Sequence, residues 1–245
     1  MIKFFKRIIM LIIFIIIAVL SVFVYQGYEL FQEAIIETSI EEKIEEIKSE
    51  NPNYIKYENL PEDYINAIVA VEDRRFFEHN GIDIVSITRA IIKNIQAMSL
   101  EEGGSTITQQ LAKNTYFTQK KELTRKIAEV FMAFEYENAC TKEEILELYV
   151  NTIYFGDGYY CVYDASQGYF DKDPKDMNLY ESTLLAGIPN APSVYAPTKN
   201  PELAKERQAQ VLSKMVKYEY LSQDDADKVL TIEFKKIEKD ENKNK

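Results

Sequence analysis

Three stretches of this chain bring together groups that can move protons or hold charge. The first is AIVAVEDRRFFEHNGID, Ala67 to Asp83, where an apolar segment ends on Glu72 and Asp73 and is followed by paired Arg, paired Phe and the lone His79. A carboxylate at the mouth of an apolar helix is partly stripped of water, the setting in which it serves as a general base, so Glu72 is the candidate. The competing reading pairs Glu72 and Asp73 with Arg74 and Arg75 at a surface helix end. A lone histidine is more often a structural hydrogen-bonder than a catalyst, and His79 is read so. The second stretch is EGGSTITQQLAKN, Glu102 to Asn114. Gly103 and Gly104 allow close backbone approach and positive φ before a helix start, and Ser105 and Thr106 add hydroxyls beside free N–H groups. Together they outline an anion site, with Gln109, Gln110 and Lys113 on the turns that follow. The third is KKELTRKIAEVFMAFEYE, Lys120 to Glu137, where Lys120, Lys121, Arg125 and Lys126, with Lys113 just before the stretch, face only Glu122 between residues 113 and 126. Arg125 and Glu129 are four apart and share a helix face; taken alone, they read as an intrahelical ion pair.

Composition decides which chemistries are open to these groups. The 245 residues include 29 Lys and Arg against 40 Asp and Glu, a net charge of −11, the wrong sign for a protein that wraps nucleic acid. A cationic site must therefore be local, as the third stretch is. Cys140, Cys161 and His79 cannot build a four-ligand structural zinc site. Both cysteines are expected as separate small apolar residues rather than as a disulfide.

The elements that position these groups begin with a membrane helix. Ile8 to Tyr25 runs without a charge, and its ~27 Å of helix approaches the thickness of a hydrocarbon core. Lys3, Lys6 and Arg7 precede it and Glu29, Glu33 and Glu37 follow, so residues 1–7 are expected as a cytoplasmic tail, 8–25 as an uncleaved anchor and the rest as extracytoplasmic. Residues 26–53 read as an amphipathic stalk closed by Asn51-Pro52-Asn53, residues 54–230 as the main domain, and 231–245 as a charged, disordered tail. Helix starts are expected at Pro61, at Asp83 running to Met98, at Ser105 running to Lys113, and at the Thr141/Glu144 capping box. Alternating strands are missing, so the fold class is mainly α.

Glu72-Asp73 with Phe76, His79 and Gly81, then GGSTITQQ with Lys113 and Asn114, then Arg125-Lys126 with Glu129, then ILELYVNTIYFG, then ESTLLAGIPNAPSVYAPTKNPE resemble the five ordered motifs of the peptidoglycan glycosyltransferases, glycosyltransferase family 51. The resemblance spans roughly Tyr54 to Leu230. It implies a lysozyme-like α fold with a smaller membrane-proximal lobe and polymerisation of lipid II into glycan strands in bacterial cell wall synthesis. In that reading Glu72 and Glu129 are catalytic: Glu72 is the base, and Glu129 positions a cationic cluster or a divalent ion. Ser105, Thr106, Gln109, Gln110, Lys113, Asn114, Arg125 and Lys126 bind pyrophosphate and sugar, supported by Asp73, Phe76, His79, Gly103 and Gly104. The family also implies Mg²⁺ or Mn²⁺ assistance; ligand spacing in the sequence shows no metal site. The expected partners are lipid II, the growing lipid-linked strand, the bacterial cytoplasmic membrane and other cell-wall synthesis proteins.

The pattern departs from the family at Cys161, Asp164 and Ser166, where small residues are usual. No S-x-x-K, S-x-N and K-T-G set follows the domain, so a chain without the transpeptidase unit of the class A penicillin-binding proteins is expected. Two rivals remain: a lysozyme-like hydrolase, which needs two carboxylates and no pyrophosphate cradle, and a silent membrane-tethered scaffold, which would not need Glu72 or the motif lysines.

Overall fold

A computed structural model of the chain describes residues 2–97, 103–117 and 123–235. Lys120, Lys121 and Glu122 of the basic stretch, Glu102 of the glycine stretch, Met98 of the expected helix and most of the charged tail lie outside the described residues. Twelve α-helices are formed among the described residues: α1 (Ile2–Glu37), α2 (Ile40–Glu50), α3 (Glu62–Glu72), α4 (Ile84–Ala97), α5 (Ile107–Tyr116), α6 (Leu123–Ala139), α7 (Lys142–Val150), α8 (Val162–Phe170), α9 (Leu179–Gly187), α10 (Pro192–Tyr195), α11 (Pro201–Lys217) and α12 (Gln223–Leu230). The nearest thing to a strand among them is one isolated bridge, Asn80 to Ile82. The architecture is mainly α.

α3 is the axis of the body. Its sequence INAIVAV is apolar but for Asn66, and from Ala67 on it is apolar around the whole helix, as a largely enclosed helix is. Ala67 through Val71 are buried accordingly, with α9 and α11 packed against α3, while α5 and α6 pack on each other. α3 stops where its apolar sequence stops: Asp73 leaves helical geometry at φ −155° and its N–H closes on the Val69 carbonyl. That exit puts Glu72 at the last helical position, on the edge of the core.

Caps set where the other site helices begin. Thr141 and Glu144 form the expected capping box on α7. At α5 the cap is one residue later than expected: Thr106, not Ser105, accepts from the Gln109 N–H, and the Gln109 side chain returns to the Thr106 N–H. Asp83 takes the Val85 N–H and the Ser86 hydroxyl at the start of α4.

The segment expected as a stalk is part of the packed body. α1 continues to Glu37, Ser39 and Glu42 form a further capping box that opens α2, and Phe31 and Ile40 are buried. Tyr116 ties down the junction by donating to the carbonyls of Thr38 or Ser39. α4 stands apart. Only Ala90 is buried on it, while Ile84, Val85, Ile91, Ile92 and Ile95 lie about half or more in the open.

The departures at the fourth motif are accommodated by polar contacts. Cys161 caps α8 through its sulfur, Asp164 accepts from the Asn53 side chain at 2.8 Å, and Ser166 donates to the Lys172 carbonyl at 2.7 Å. Both cysteines are free thiols, and burial pushes the Cys140 thiol up to about 11.

Candidate active site

A cleft of about 500 Å³ opens at the C-terminal end of α3, between α5 and α6 on one side and α11 on the other. Glu72 stands at its edge of the core. Its Oε2 accepts from Gln110 Nε2 at 2.9 Å, and Tyr149 in turn donates to Gln110 Oε1 at 3.2 Å, which fixes the amide's orientation. Glu72 Oε1 is enclosed and has no hydrogen-bond partner; Arg207 Nη2 is 3.7 Å away. One carboxylate oxygen is therefore held and the other keeps its lone pairs for a proton. The rival pairing with Arg74 and Arg75 is not formed: Arg74 lies over the Tyr218 ring, and Arg75 turns to Glu78 and Asp83.

Asp73 faces the other way. It is buried and accepts from His79 Nε2 at 2.9 Å and from the Ile107 N–H at 3.0 Å, so it clamps the end of α3 to the first turn of α5. His79 makes its contact with Asp73 and does not line the cleft. Phe76 is fully buried, with Lys142 over its face at 4.6 Å, and supports the turn from below the cleft. Gly81 reaches φ +81°, a conformation glycine adopts without strain, and its carbonyl accepts the Thr106 hydroxyl at 2.6 Å.

The opposite wall carries the cations. Glu129 is 1% exposed, and its oxygens are divided: Arg125 Nη1 donates to Oε1 at 2.5 Å and Lys126 Nζ to Oε2 at 2.7 Å. Lys126 also donates to Ser105 Oγ at 2.7 Å, which is where the Ser105 hydroxyl goes instead of capping α5. The i,i+3 and i,i+4 pairs of one helix thus become a chain reaching across to the glycine segment, with Glu129 buried at its centre, where losing its cations would leave an uncompensated charge. Lys113 lines the same wall half-buried. Burial pushes its ammonium below the ordinary lysine range; Glu129 and Glu72 draw it back up, and Arg125 and Lys126 press it further down. Its charge is thus costly in the empty cleft and is relieved by an arriving anion.

Most of the residues singled out in the sequence meet here. Glu72, Asp73, Gly103, Gly104, Ser105, Thr106, Gln109, Gln110, Lys113, Lys126 and Glu129 all line the cleft. The Thr106 hydroxyl and the Gln109 carbonyl oxygen are spent on the cap. Arg125 is reached only through Glu129, and Asn114 is exposed and does not line the cleft. Of the glycine pair only Gly104 answers to close approach, and neither to positive φ: a Cβ on Gly104 would come within 3.2 Å of Ile87 Cα, whereas Gly103 has nothing within 4 Å. The α11 wall was missed. Arg207, Gln210, Lys214 and Tyr218 line the cleft from there, with Asn190 and Tyr195 beside them. Arg207 is 8% exposed, donates to Gln210 and the Gly187 carbonyl, and Lys214 Nζ donates to the Val71 carbonyl at 2.9 Å.

A buried carboxylate with one oxygen free of hydrogen bonds, sharing a cleft with a wall of fixed cations, suits moving a proton while an anion departs. The transglycosylase family model matches residues 40–216, and the chain belongs to that family. Among its relatives, penicillin-binding protein 1A of Neisseria lactamica is 43% identical over 74% of this chain and 23% of its own length. Penicillin-binding protein 1F of Bacillus subtilis is 42% identical over 76% of this chain and 26% of its own. A crystal structure of penicillin-binding protein 1A from Haemophilus influenzae aligns over 76% of this chain and 18% of that one, at 25% identity and a TM-score of 0.45. The chain spans about a quarter of the length of the curated relatives it matches.

Proposed function

We propose that this protein polymerises peptidoglycan glycan strands, transferring the lipid-linked glycan of a lipid II-type donor to the GlcNAc 4-OH of an acceptor with inversion. The observation that carries the reading is the unpartnered Oε1 of Glu72 in one cleft with Lys113, Lys126 and Ser105. Glu72 Oε1 takes the proton of the acceptor hydroxyl as its oxygen attacks C1 of the donor MurNAc. The C1–O bond to the diphosphate breaks with its electron pair, and Lys113 and Lys126 meet the charge that grows on the leaving oxygens. Arg125 acts through Glu129, holding that carboxylate so that Lys126 stays aimed into the cleft.

A hydrolase reading fits less well. It requires a second carboxylate free to act as acid, nucleophile or base, and Glu129 has both oxygens committed to cations. The same commitment bears on a divalent ion. Among the described residues no group of three or more His, Cys, Asp or Glu could hold a metal, and Glu129 would have to release a cation to serve as a ligand. Among the described residues the donors do not fit a resident Mg²⁺ or Mn²⁺, so no step is routed through one.

α1 is apolar and long enough to cross a membrane, with its apolar window wholly unburied in the fold. Its basic start and acidic end favour a cytoplasmic N-terminus and an extracytoplasmic cleft. The open Ile84, Val85, Ile91, Ile92 and Ile95 of α4 suit a second contact with the bilayer surface, beside the cleft wall that Ser86 and Arg89 share. Protein lacking residues 1–25 is then expected to sediment with anionic vesicles; failure to co-sediment rejects the α4 contact.

Incubation of the full-length protein with labelled lipid II and separation of the products on a gel tests the function directly. Glycan strands are expected, and their absence under conditions where the protein remains folded rejects the proposal.

A further inference from the structure

Gly27 is buried on α1 although its neighbours in sequence are open. A Cβ there would lie 2.6 Å from Ile127 Cγ2, 2.7 Å from Ile127 Cβ and 2.9 Å from the Thr124 carbonyl oxygen. Two of those atoms are a Cβ and a backbone oxygen, which cannot swing aside. Glycine weakens a helix interior, so its presence here answers to the close approach of α1 to α6. One turn on, Phe31 is 5% exposed and packs with Tyr28 and Phe131 at ring-centroid distances of 5.9 and 5.7 Å, with Tyr28 to Phe131 at 5.3 Å. Thr124 and Ile127 flank Arg125 and Lys126 in sequence. The backbone that α1 touches is therefore the backbone that carries these two cations to Glu129 and Ser105. Along α1 the contact falls just beyond Tyr25, where the apolar run ends, ~3 Å further along the axis.

We propose that Gly27 is a positioning residue for the cationic wall: it seats the membrane helix on the first turns of α6, holding Arg125 and Lys126 in register with Lys113 and at the level where a lipid-linked diphosphate leaves the bilayer. The inference rests on the lipid-diphosphate reading above. It makes the anchor a part of the site's geometry and not only a tether.

The test compares full-length wild type, Gly27→Leu, Gly27→Ala, Gly27→Ala/Ile127→Ala and Gln26→Leu in detergent micelles, with lipid II as the probe. Wild-type polymerisation tests the function, so its failure is separate from failure of the seat. An ångström-scale misplacement of a catalytic group can cost ~10²-fold. Gly27→Leu is expected to lose ~10–100-fold in kcat/KM and to move the alkaline limb of the pH–rate profile, because Lys113 senses Arg125, Lys126 and Glu129. Gly27→Ala loses less, and Ile127→Ala in its background restores part of the loss by removing the nearest atom. Gln26→Leu, comparable bulk at an exposed neighbour, stays at the wild-type level. Wild-type kinetics in Gly27→Leu overturn the proposal. So does an equal loss in Gln26→Leu, or a loss uniform in pH with no recovery from Ile127→Ala, which marks a merely structural role.

Discussion

The two walls of the cleft hold their cations by opposite means. On the α5–α6 wall Arg125 and Lys126 gather on Glu129, three and four residues away on one helix, and stretch to Ser105. On the α11 wall Arg207 and Lys214 reach back across more than a hundred residues to Glu72 and to the Val71 carbonyl. The first wall presents charge to whatever enters. The second spends charge on the end of α3, where the base stands. The contrast teaches that positive charge in one cleft can serve two ends, receiving a leaving group and holding a carboxylate in place.

The largest effect is expected between the walls, at Glu72 itself. Glu72→Gln keeps the bond from Gln110 within reach through its own carbonyl and removes the proton acceptor, so turnover of lipid II should fall ~10²–10⁴-fold with the fold intact. Single-turnover rates and thermal unfolding measured on one preparation check this. Turnover above about a tenth of wild type would move the base elsewhere.

Next come the cations of the near wall. Lys113→Ala is expected to lower kcat/KM by ~10²-fold, since a fixed donor aimed at developing charge is commonly worth that much; Arg125→Ala, which acts only through Glu129, is expected to lower it less. Glu129→Gln should also destabilise, by ~3–5 kcal/mol, because it leaves two cations crowded around a neutral amide in a buried place. If Lys113→Ala and Arg125→Ala polymerise normally, this wall only packs the cleft and the contrast with α11 disappears.

How far each wall could be read from the sequence follows from the same contrast. Arg125, Lys126 and Glu129 share a helix face by spacing alone, and Glu72 is marked by the apolar run that it ends. Thr141 and Glu144 announce a cap in the same local way. Arg207 and Lys214 carry no such mark: on α11 they read as ordinary surface cations, and only tertiary packing brings them to α3. Two local signals were also misjudged. Ser105 and Thr106 are both fair caps, and the choice was settled by tertiary partners, Gly81 for Thr106 and Lys126 for Ser105. Ser39-x-x-Glu42 is a capping box in the sequence, overshadowed by the isoleucine periodicity that continues through it. Asn114 follows Lys113 directly, and one step around a helix is enough to turn a side chain from cleft to solvent.

The far wall should show a smaller and different loss. Arg207→Ala removes the cation nearest Glu72 Oε1 and is expected to cost ~10-fold in kcat. Arg207→Lys keeps the charge but not the planar fork that also serves Gln210 and Gly187, so it should recover only part. A loss confined to KM would instead assign Arg207 to substrate binding and erase the distinction between the walls.

The smallest expected effect is a shift in pH dependence, and it isolates Lys113. Burial holds this ammonium below the ordinary lysine range, so activity should decline on the alkaline side before a free lysine would titrate. Alkaline unfolding could produce the same decline, and the sign of linkage separates the two. A lysine whose folded pKa is depressed costs stability while it is charged, and that cost is relieved as pH rises from the folded value toward the unfolded one. Loss of the Lys113 proton therefore favours the folded state while it removes the charge that meets the diphosphate. Activity and thermal stability should part company through this window, activity falling as the Lys113 contribution to stability rises. Arg carries its charge at every accessible pH. Whatever activity Lys113→Arg retains should thus stay level where the wild type declines, and an alkaline limb that persists unchanged in Lys113→Arg would assign it to another group.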